Sequence, residues 1–124
     1  MKIEKFEDIG AWQQARDLVN LVYESVQGNL FSKDFGLKDQ IQRASVSIMA
    51  NIAEGFDSSS DVDFIKFLIY SRRSATEVQS HLYVALDRKY VTQKEFQELY
   101  KRSNEVKALI GGFIKYLRKP RPRT

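Results

Sequence analysis

The chain has 124 residues, of which 43% are hydrophobic and 29% charged, and it contains no cysteine. This length and composition predict one globular domain around one hydrophobic core. The lack of cysteine excludes a disulfide framework and thiolate metal sites, and it favours a reducing, cytoplasmic setting. We expect no signal peptide and no membrane span, because no apolar run approaches the roughly 20 residues that a spanning helix needs.

The first two of four amphipathic segments cover residues 9–27 and 34–54. We expect Asp8 to cap the first helix, and Gly28 to end it in the left-handed conformation. We expect Ser32 or Asp34 to cap the second helix and Gly55 to mark its end. The apolar stripe of the first helix comprises Trp12, Ala15, Val19, Val22 and Val26.

The third and fourth helices follow a loop at residues 57–60. The third is predicted over residues 61–89, capped by Ser59 or Ser60. The fourth starts after Thr92, which can form a capping box with Glu95, and Pro120 marks its end. Strand patterns are absent, so the fold class is all-α. We predict an antiparallel up-down-up-down four-helix bundle over residues 1–118, with residues 119–124 as a basic flexible C-terminal tail.

The second helix carries two rows of side chains at three- and four-residue steps. The apolar row is Leu37, Ile41, Ala44, Ile48 and Ile52. Most other residues from 44 to 53 are small or apolar, so the polar row beside it is expected to lie inside the protein. That polar row, called here the polar line, consists of Gln40, Arg43, Ser47, Asn51 and Glu54.

A buried polar line needs partners on the third helix. If the two helices form a hairpin, Arg43 lies level with Ser74, and Glu77 lies one turn farther along. We therefore predict an ion pair between Arg43 and Glu77, since an unpaired buried charge is costly. The predicted structural seam is Gln40, Arg43, Ser47, Asn51, Glu54, Ser74 and Glu77. It serves either to fix helix register or as a ligand pocket.

A further side of the second helix presents Val46, Met49, Ala50 and Ala53. One apolar side can fill the bundle core, but the other needs a separate cover. Contiguous apolar surface commonly marks an interface. The sequence therefore predicts a homo-oligomer.

No residue pattern predicts a catalytic, cofactor-binding or metal site. His81 is the only histidine, and we interpret it as an ordinary helix residue. Asp57, Asp61 and Asp63 lie where they can cap and charge a helix N-terminus. Phosphate-binding and dinucleotide-binding glycine motifs are missing.

Basic residues are the best candidates for binding a partner. The segment 115–124 contains five basic residues and no acidic ones. Because the whole chain carries +4 and this segment carries +5, residues 1–114 carry a net charge of −1. The basic residues either bind nucleic acid beside scattered tyrosines or form an ordinary solvated surface. The candidates are Lys115, Arg118, Lys119, Arg121 and Arg123, followed by Arg72, Arg73, Arg88 and Lys89.

Three motifs match a known family over nearly the whole chain. They are Phe6-x-x-Ile9-x-x-Trp12-x-x-Ala15, the long motif Phe35-Gly36-Leu37-x-x-Gln40-Ile41-x-Arg43-Ala44-x-x-Ser47-Ile48-x-x-Asn51-Ile52-Ala53-Glu54-Gly55, and Ser74-x-x-Glu77. With them the chain resembles the bacterial four-helix-bundle proteins encoded in intervening sequences of 23S rRNA genes, also labelled S23 ribosomal proteins. It is also similar to the accessory protein of diversity-generating retroelements. Ser32 stands where the family usually has a proline.

The resemblance implies a homopentamer without established enzymatic activity. Five copies of a segment carrying +5 would bring +25 together in one assembly. The first hypothesis is a non-catalytic, cytoplasmic homo-oligomer that binds RNA or other nucleic acid through basic surface and tail. The alternative is a protein–protein interaction scaffold without direct nucleic-acid binding, and an enzyme or metal protein is the weakest hypothesis.

Overall fold

A computed structural model describes residues 2–120 and places most of them in four α-helices. The part described contains no β-strand, so the predicted all-α four-helix fold is confirmed. Single 3-10 turns at Phe6–Asp8 and Phe31–Lys33 precede the first and second helices. The helices are α1 (Gly10–Ser25), α2 (Phe35–Phe56), α3 (Asp61–Asp87) and α4 (Gln93–Arg118).

Contacts between helices show how the bundle is wound. Ser47 of α2 contacts Ser74 of α3, while Asp34 before α2 contacts Tyr90 after α3, so these helices are antiparallel. Helices α3 and α4 are also antiparallel, because Gln79 contacts Asn104 and Phe64 contacts Phe113. Helix α1 packs against both α2 and α4, which closes the ring of four.

The core runs along the axis of the bundle, and each helix contributes side chains with no exposed surface. Leu18, Ile48, Leu68 and Ile110 are one example from each helix. The apolar face of α1 is rotated from the predicted stripe, because Leu18 is fully buried whereas Trp12 is only half-buried. The bulky Trp12 packs at the edge of the core against Phe6.

Three of the four predicted helix caps are confirmed. Asp34 accepts a hydrogen bond from the Leu37 amide at the start of α2, and Ser60 accepts one from Asp63 at the start of α3. Thr92 and Glu95 form the predicted capping box of α4, with bonds of 3.1 and 2.9 Å. These side chains satisfy amides that have no partner within the helix.

The predicted start of α1 is wrong. Ile9 is the N-cap, without a side-chain hydrogen bond, and Asp8 lies in the preceding 3-10 turn. The Asp8 carboxylate instead accepts from the amides of Glu4 and Lys5, at 3.0 and 3.3 Å. Because the carboxylate is used on these amides, it does not cap α1.

The predicted roles of two glycines as helix ends are also wrong. Neither Gly28 nor Gly55 has positive φ, and Gly55 lies inside α2, which ends at Phe56. Lys89 adopts the left-handed conformation after α3, with φ of 62°. The Tyr90 amide bonds to the Ala85 carbonyl and the Lys89 amide to the Leu86 carbonyl, which is a Schellman motif.

Gly55 lies where the α2 backbone packs closely against α3. A Cβ atom placed on it would lie 2.8 Å from Phe64 Cδ1 and 2.8 Å from Phe67 Cβ. Phe67 Cβ is fixed to the α3 backbone, so it can move only if the helix moves. The close approach of the two helices therefore requires glycine at this position.

We predict that Gly55→Ala lowers the free energy of unfolding by about 1–3 kcal/mol through overpacking. The matched control is Gly112→Ala, where a Cβ meets nothing within 4 Å. The control is expected to raise stability by up to about 1 kcal/mol, because alanine favours helix. Urea unfolding of both variants measures the contrast, and equal effects would contradict the packing role of Gly55.

The Tyr90–Asp34 hydrogen bond ties the end of α3 to the start of α2. The Tyr90 hydroxyl donates to Asp34 Oδ2 at 2.9 Å, while the other oxygen of Asp34 caps α2. This bond, together with burial, raises the pKa of Tyr90 above its ordinary value of about 10. The bond connects two helices through one carboxylate.

We predict that this contribution to stability is present below pH of about 10 and is lost as pH rises through the raised pKa of folded Tyr90. The sign follows because the folded protein holds the proton more tightly than the unfolded chain. Urea midpoints of wild type and Tyr90→Phe, measured from neutral to alkaline pH, test it. The difference between them should shrink at high pH, and a constant difference would argue against the linkage.

Candidate functional site

The polar line lies at the surface edge of α2 within a single chain, which corrects the expectation that it is buried. Gln40, Arg43 and Glu54 are exposed, and Ser47 and Asn51 are half-buried. Water therefore solvates the charged members of the line. The predicted burial requires a cover that one chain does not supply.

Part of the predicted seam does form between α2 and α3. The hydroxyls of Ser47 and Ser74 lie 2.9 Å apart. The Asn51 amide group donates to the carbonyl and the hydroxyl of Ser47, at 2.9 and 3.0 Å. Ser74 lies opposite Ser47 rather than opposite Arg43, so the predicted register is off by about one turn although the connecting loop is the predicted 57–60.

The predicted ion pair between Arg43 and Glu77 is wrong. Arg43 Nε lies 3.0 Å from Asp39 Oδ2, one turn earlier on its own helix, and its side chain is 80% exposed. Glu77 is also exposed and lies 3.1 Å from His81 Nε2. Partners four residues apart are already adjacent on one helix, so neither side chain has to reach across.

The outward surface of α2 has an apolar centre with charged ends. A shallow groove of about 490 Å³ is lined by Tyr23, Arg43, Val46, Ala50 and Glu54, among others. Val46 is 39% exposed at its centre. An apolar centre with a polar rim is the usual composition of an interface.

The bundle separates the predicted basic residues into distant groups. Lys115, Arg118 and Lys119 are exposed at the end of α4. Arg88 and Lys89 follow α3 at the opposite end, since α3 has 27 residues and a length of about 40 Å. The sequence could not show this separation. Arg121 and Arg123 lie outside the described residues.

The middle of the bundle carries a third basic surface, called here the α3–α4 face. On α3 it comprises Arg72, Thr76, Gln79 and Tyr83, and on α4 it comprises Gln97, Tyr100, Asn104, Lys107 and Gly111. These rows follow alternating steps of three and four residues, so each row lies along one side of its helix. Arg73, the remaining candidate, is exposed beside Arg72.

A polar network joins the two helices at the centre of this face. Gln79 is buried, and its amide group donates to Asn104 Oδ1 at 2.8 Å. Lys107 Nζ donates to Gln79 Oε1 at 3.1 Å. Arg72 lies one to two turns away, with Nη1 3.9 Å from the position that a Cβ on Gly111 would occupy.

The positive charges of the α3–α4 face have no carboxylate partner. Within residues 2–120 the ion pairs are Arg43–Asp39 and His81–Glu77, and neither involves this face. None of its nine residues is acidic. Arg72 of α3 and Lys107 of α4 are both half-buried between the two helices. Solvent ions therefore screen their positive charges less than those of fully exposed cations.

An aromatic cluster lies next to the network, toward the α3 C-terminus. The Tyr83 ring packs 4.9 Å from Phe96 and 5.8 Å from Tyr100, measured between ring centroids. Tyr83 is 51% exposed although two rings support it. The neighbouring Tyr100 phenol, followed by partial desolvation, raises the pKa of Tyr83.

Arg72 is among the binding residues predicted from the sequence, whereas Lys107, Gln79 and Asn104 are not. Their signal was present, since they fall on the rows beside the apolar stripes of α3 and α4. Which row of α3 faces which row of α4 depends on the packing of the whole bundle. A single sequence does not contain that pairing.

A concavity of about 930 Å³ lies at the end of the bundle where α3 begins. Its walls are mainly apolar and include Phe56, Phe64, Leu109 and Phe113. Paired acid and base side chains, which hydrolytic or proton-transfer chemistry needs, are missing from the lining, where Lys2 and Asp61 are the charged residues. In the described residues, no helix is both long enough and apolar enough to span a membrane.

Comparison with known proteins places the fold in a family. Residues 7–112 match the model of the 23S rRNA-intervening sequence protein family. A solved structure from Bacteroides thetaiotaomicron VPI-5482, described as a protein of unknown function from the S23 ribosomal protein family, is 30% identical, with a TM-score of 0.72. The alignment covers 85% of this chain and 94% of that one.

No curated protein matches the chain. Similarity to the accessory protein of diversity-generating retroelements therefore stays a prediction. The family match extends over most of the bundle, from the first 3-10 turn into α4. The chain belongs to the 23S rRNA-intervening sequence protein family.

Proposed function

We propose that the protein is a cytoplasmic, non-catalytic homo-oligomer that binds RNA or other nucleic acid through its positive surface. The observation that carries the proposal is the set of exposed cations at the end of α4, which have no acidic partner among the described residues. Lys115, Arg118 and Lys119 form this set. Cations without intramolecular partners are free to neutralise phosphates.

The distribution of charge supports a polyanionic partner. The segment 115–124 carries +5, against −1 for the rest of the chain, from a total of +4. Contacts with phosphates release condensed counterions, and this gain supplies most of the affinity of binding without sequence preference. A short basic segment binds weakly alone, so several copies are needed for useful affinity.

Assembly would provide those copies. The exposed Val46 and the groove around it leave apolar surface on α2 that a second chain can cover. Such a cover would also bury the polar line, including Arg43, as the sequence predicts. The family resemblance suggests five copies, for which the segment 115–124 would contribute +25 in total.

We predict that nucleic-acid affinity falls steeply with salt and that replacing Lys115, Arg118 and Lys119 with glutamine flattens this dependence. Each lost phosphate contact should reduce the slope of log K against log salt by about 0.7 for single strands and 0.9 for duplexes. The triple variant should therefore lose about 2 or more from the slope. Filter binding of a labelled RNA at several salt concentrations measures both quantities.

The control variant removes the same charge elsewhere, with Lys33, Lys38 and Lys94 replaced by glutamine. Its slope should stay close to that of wild type. No binding at low salt, or a flat salt response of the wild-type protein, would refute nucleic-acid binding. That result would favour the scaffold alternative, for which a partner should survive nuclease treatment of a lysate.

We predict that Val46→Glu disrupts assembly, because a carboxylate would then occupy the apolar centre of the α2 surface. Light scattering should give a multiple of the 14.4 kDa chain mass for wild type and a smaller particle for the variant. The matched control is Val62→Glu, at a residue that is 74% exposed on α3. A wild-type particle of single-chain mass, or equal behaviour of both variants, would contradict the assembly proposed here.

A further inference from the structure

We propose that the α3–α4 face is a binding site for single-stranded nucleic acid, in which an unpaired base stacks on Tyr83 while Arg72 and Lys107 bind phosphates. This inference rests on the proposed function and adds a site and a substrate class to it. The candidate residues at the end of α4 supply general attraction to any polyanion. The α3–α4 face supplies a means of distinguishing unpaired from paired strands.

The geometry brings an aromatic platform and two cations into one row. Tyr83 lies four residues beyond Gln79, which is level with Lys107, so ring and ammonium are separated by about 6 Å along α3. Arg72 lies seven residues before Gln79, about 10 Å in the opposite direction. The row therefore spans about 16 Å, or roughly five nucleotides at the stacked spacing of 3.4 Å.

The Tyr83 ring is prepared for stacking. Phe96 and Tyr100 support it from one side, at 4.9 and 5.8 Å between centroids, while half of its surface faces solvent. A ring that is already fixed loses little conformational freedom when a base packs on it. Stacking of a base on an aromatic side chain contributes about 1–3 kcal/mol and tolerates any base.

The hydrogen-bonding groups beside the ring suit a strand whose bases are accessible. Asn104 is exposed, and its Oδ1 accepts from Gln79. Its NH2 group can therefore donate to a base edge or a sugar. Lys107 has three donors and uses one on Gln79. Asp87 lies one turn beyond Tyr83 on α3. Its negative charge marks the end of the row, because it would repel a phosphate there.

Duplexes cannot use this platform, because their bases are stacked on one another and must be extruded before a side chain can stack on them. Phosphates of a duplex can still contact Arg72 and Lys107. We therefore expect the α3–α4 face to bind a single strand more tightly than a duplex with the same sequence.

The test is fluorescence anisotropy of the full chain with a labelled 12-nucleotide oligo-dT and with the matching duplex. Tyr83→Ala should weaken binding of the single strand by about fivefold or more, as expected for at least 1 kcal/mol of stacking. It should leave the salt slope and duplex affinity unchanged. Arg72→Gln should instead reduce the slope for the single strand by about 0.7.

Two controls separate stacking from other effects. Tyr83→Phe keeps the ring and should bind the single strand like wild type, and Val84→Ala alters an exposed neighbour that is outside the α3–α4 face. Circular dichroism confirms that each variant folds. If wild type binds and Tyr83→Ala binds equally well, or Tyr83→Phe loses as much affinity as Tyr83→Ala, the stacking site is refuted. If wild type binds neither probe, the proposed function itself fails.

Discussion

The close contact of α2 with α3 at Gly55 is the constraint on which the rest of the bundle depends. There the side chains of Phe64 and Phe67 pack directly on the α2 backbone. Farther along, the buried Ser71 hydroxyl donates to the Ile48 carbonyl at 2.7 Å, which requires the same short separation. Small residues therefore let two long helices approach closely and stay in one register.

This contact also decides what the remaining surfaces present. Because one side of α3 is fixed against α2, the side of Arg72, Gln79 and Tyr83 must face α4. The contact between α3 and α4 is polar on its outer side, where Gln79 bonds with both Asn104 and Lys107, and apolar on its core side. A polar contact stabilises a bundle less than an apolar one of the same size. It leaves positive charge and hydrogen-bonding groups at a surface that two rigid helices support.

The outward side of α2 is the complementary case. Arg43 on this side pairs with Asp39 of the same helix. The apolar centre of this side, at Val46, is exposed to solvent in a single chain. This side of α2 is a separate surface from the α3–α4 face. The two surfaces can therefore serve different partners, another copy of the chain on α2 and a nucleic acid on α3 and α4.

Much of the fold could be predicted from the sequence, because helix periods and caps are local properties. Thr92, Glu95, Asp34 and Ser60 act as caps as expected, since the bonds they make span three residues. The role of Gly55 could not be predicted, because it depends on contact with Phe67 of α3. Only the packing of α2 against α3 brings these two residues together. The Arg43–Glu77 pair does not form because both side chains are exposed and find partners on their own helices, and that exposure depends on how the bundle packs.

The most direct test of the account is to locate the bound strand on the protein. A photoreactive thymidine oligonucleotide, crosslinked to the full chain and digested with trypsin, should label the peptides 74–88 and 95–101, which contain Tyr83 and Tyr100. We predict that these two peptides carry the label and that excess unlabelled single strand removes it. Crosslinks found elsewhere on the bundle, with neither peptide labelled, would contradict it.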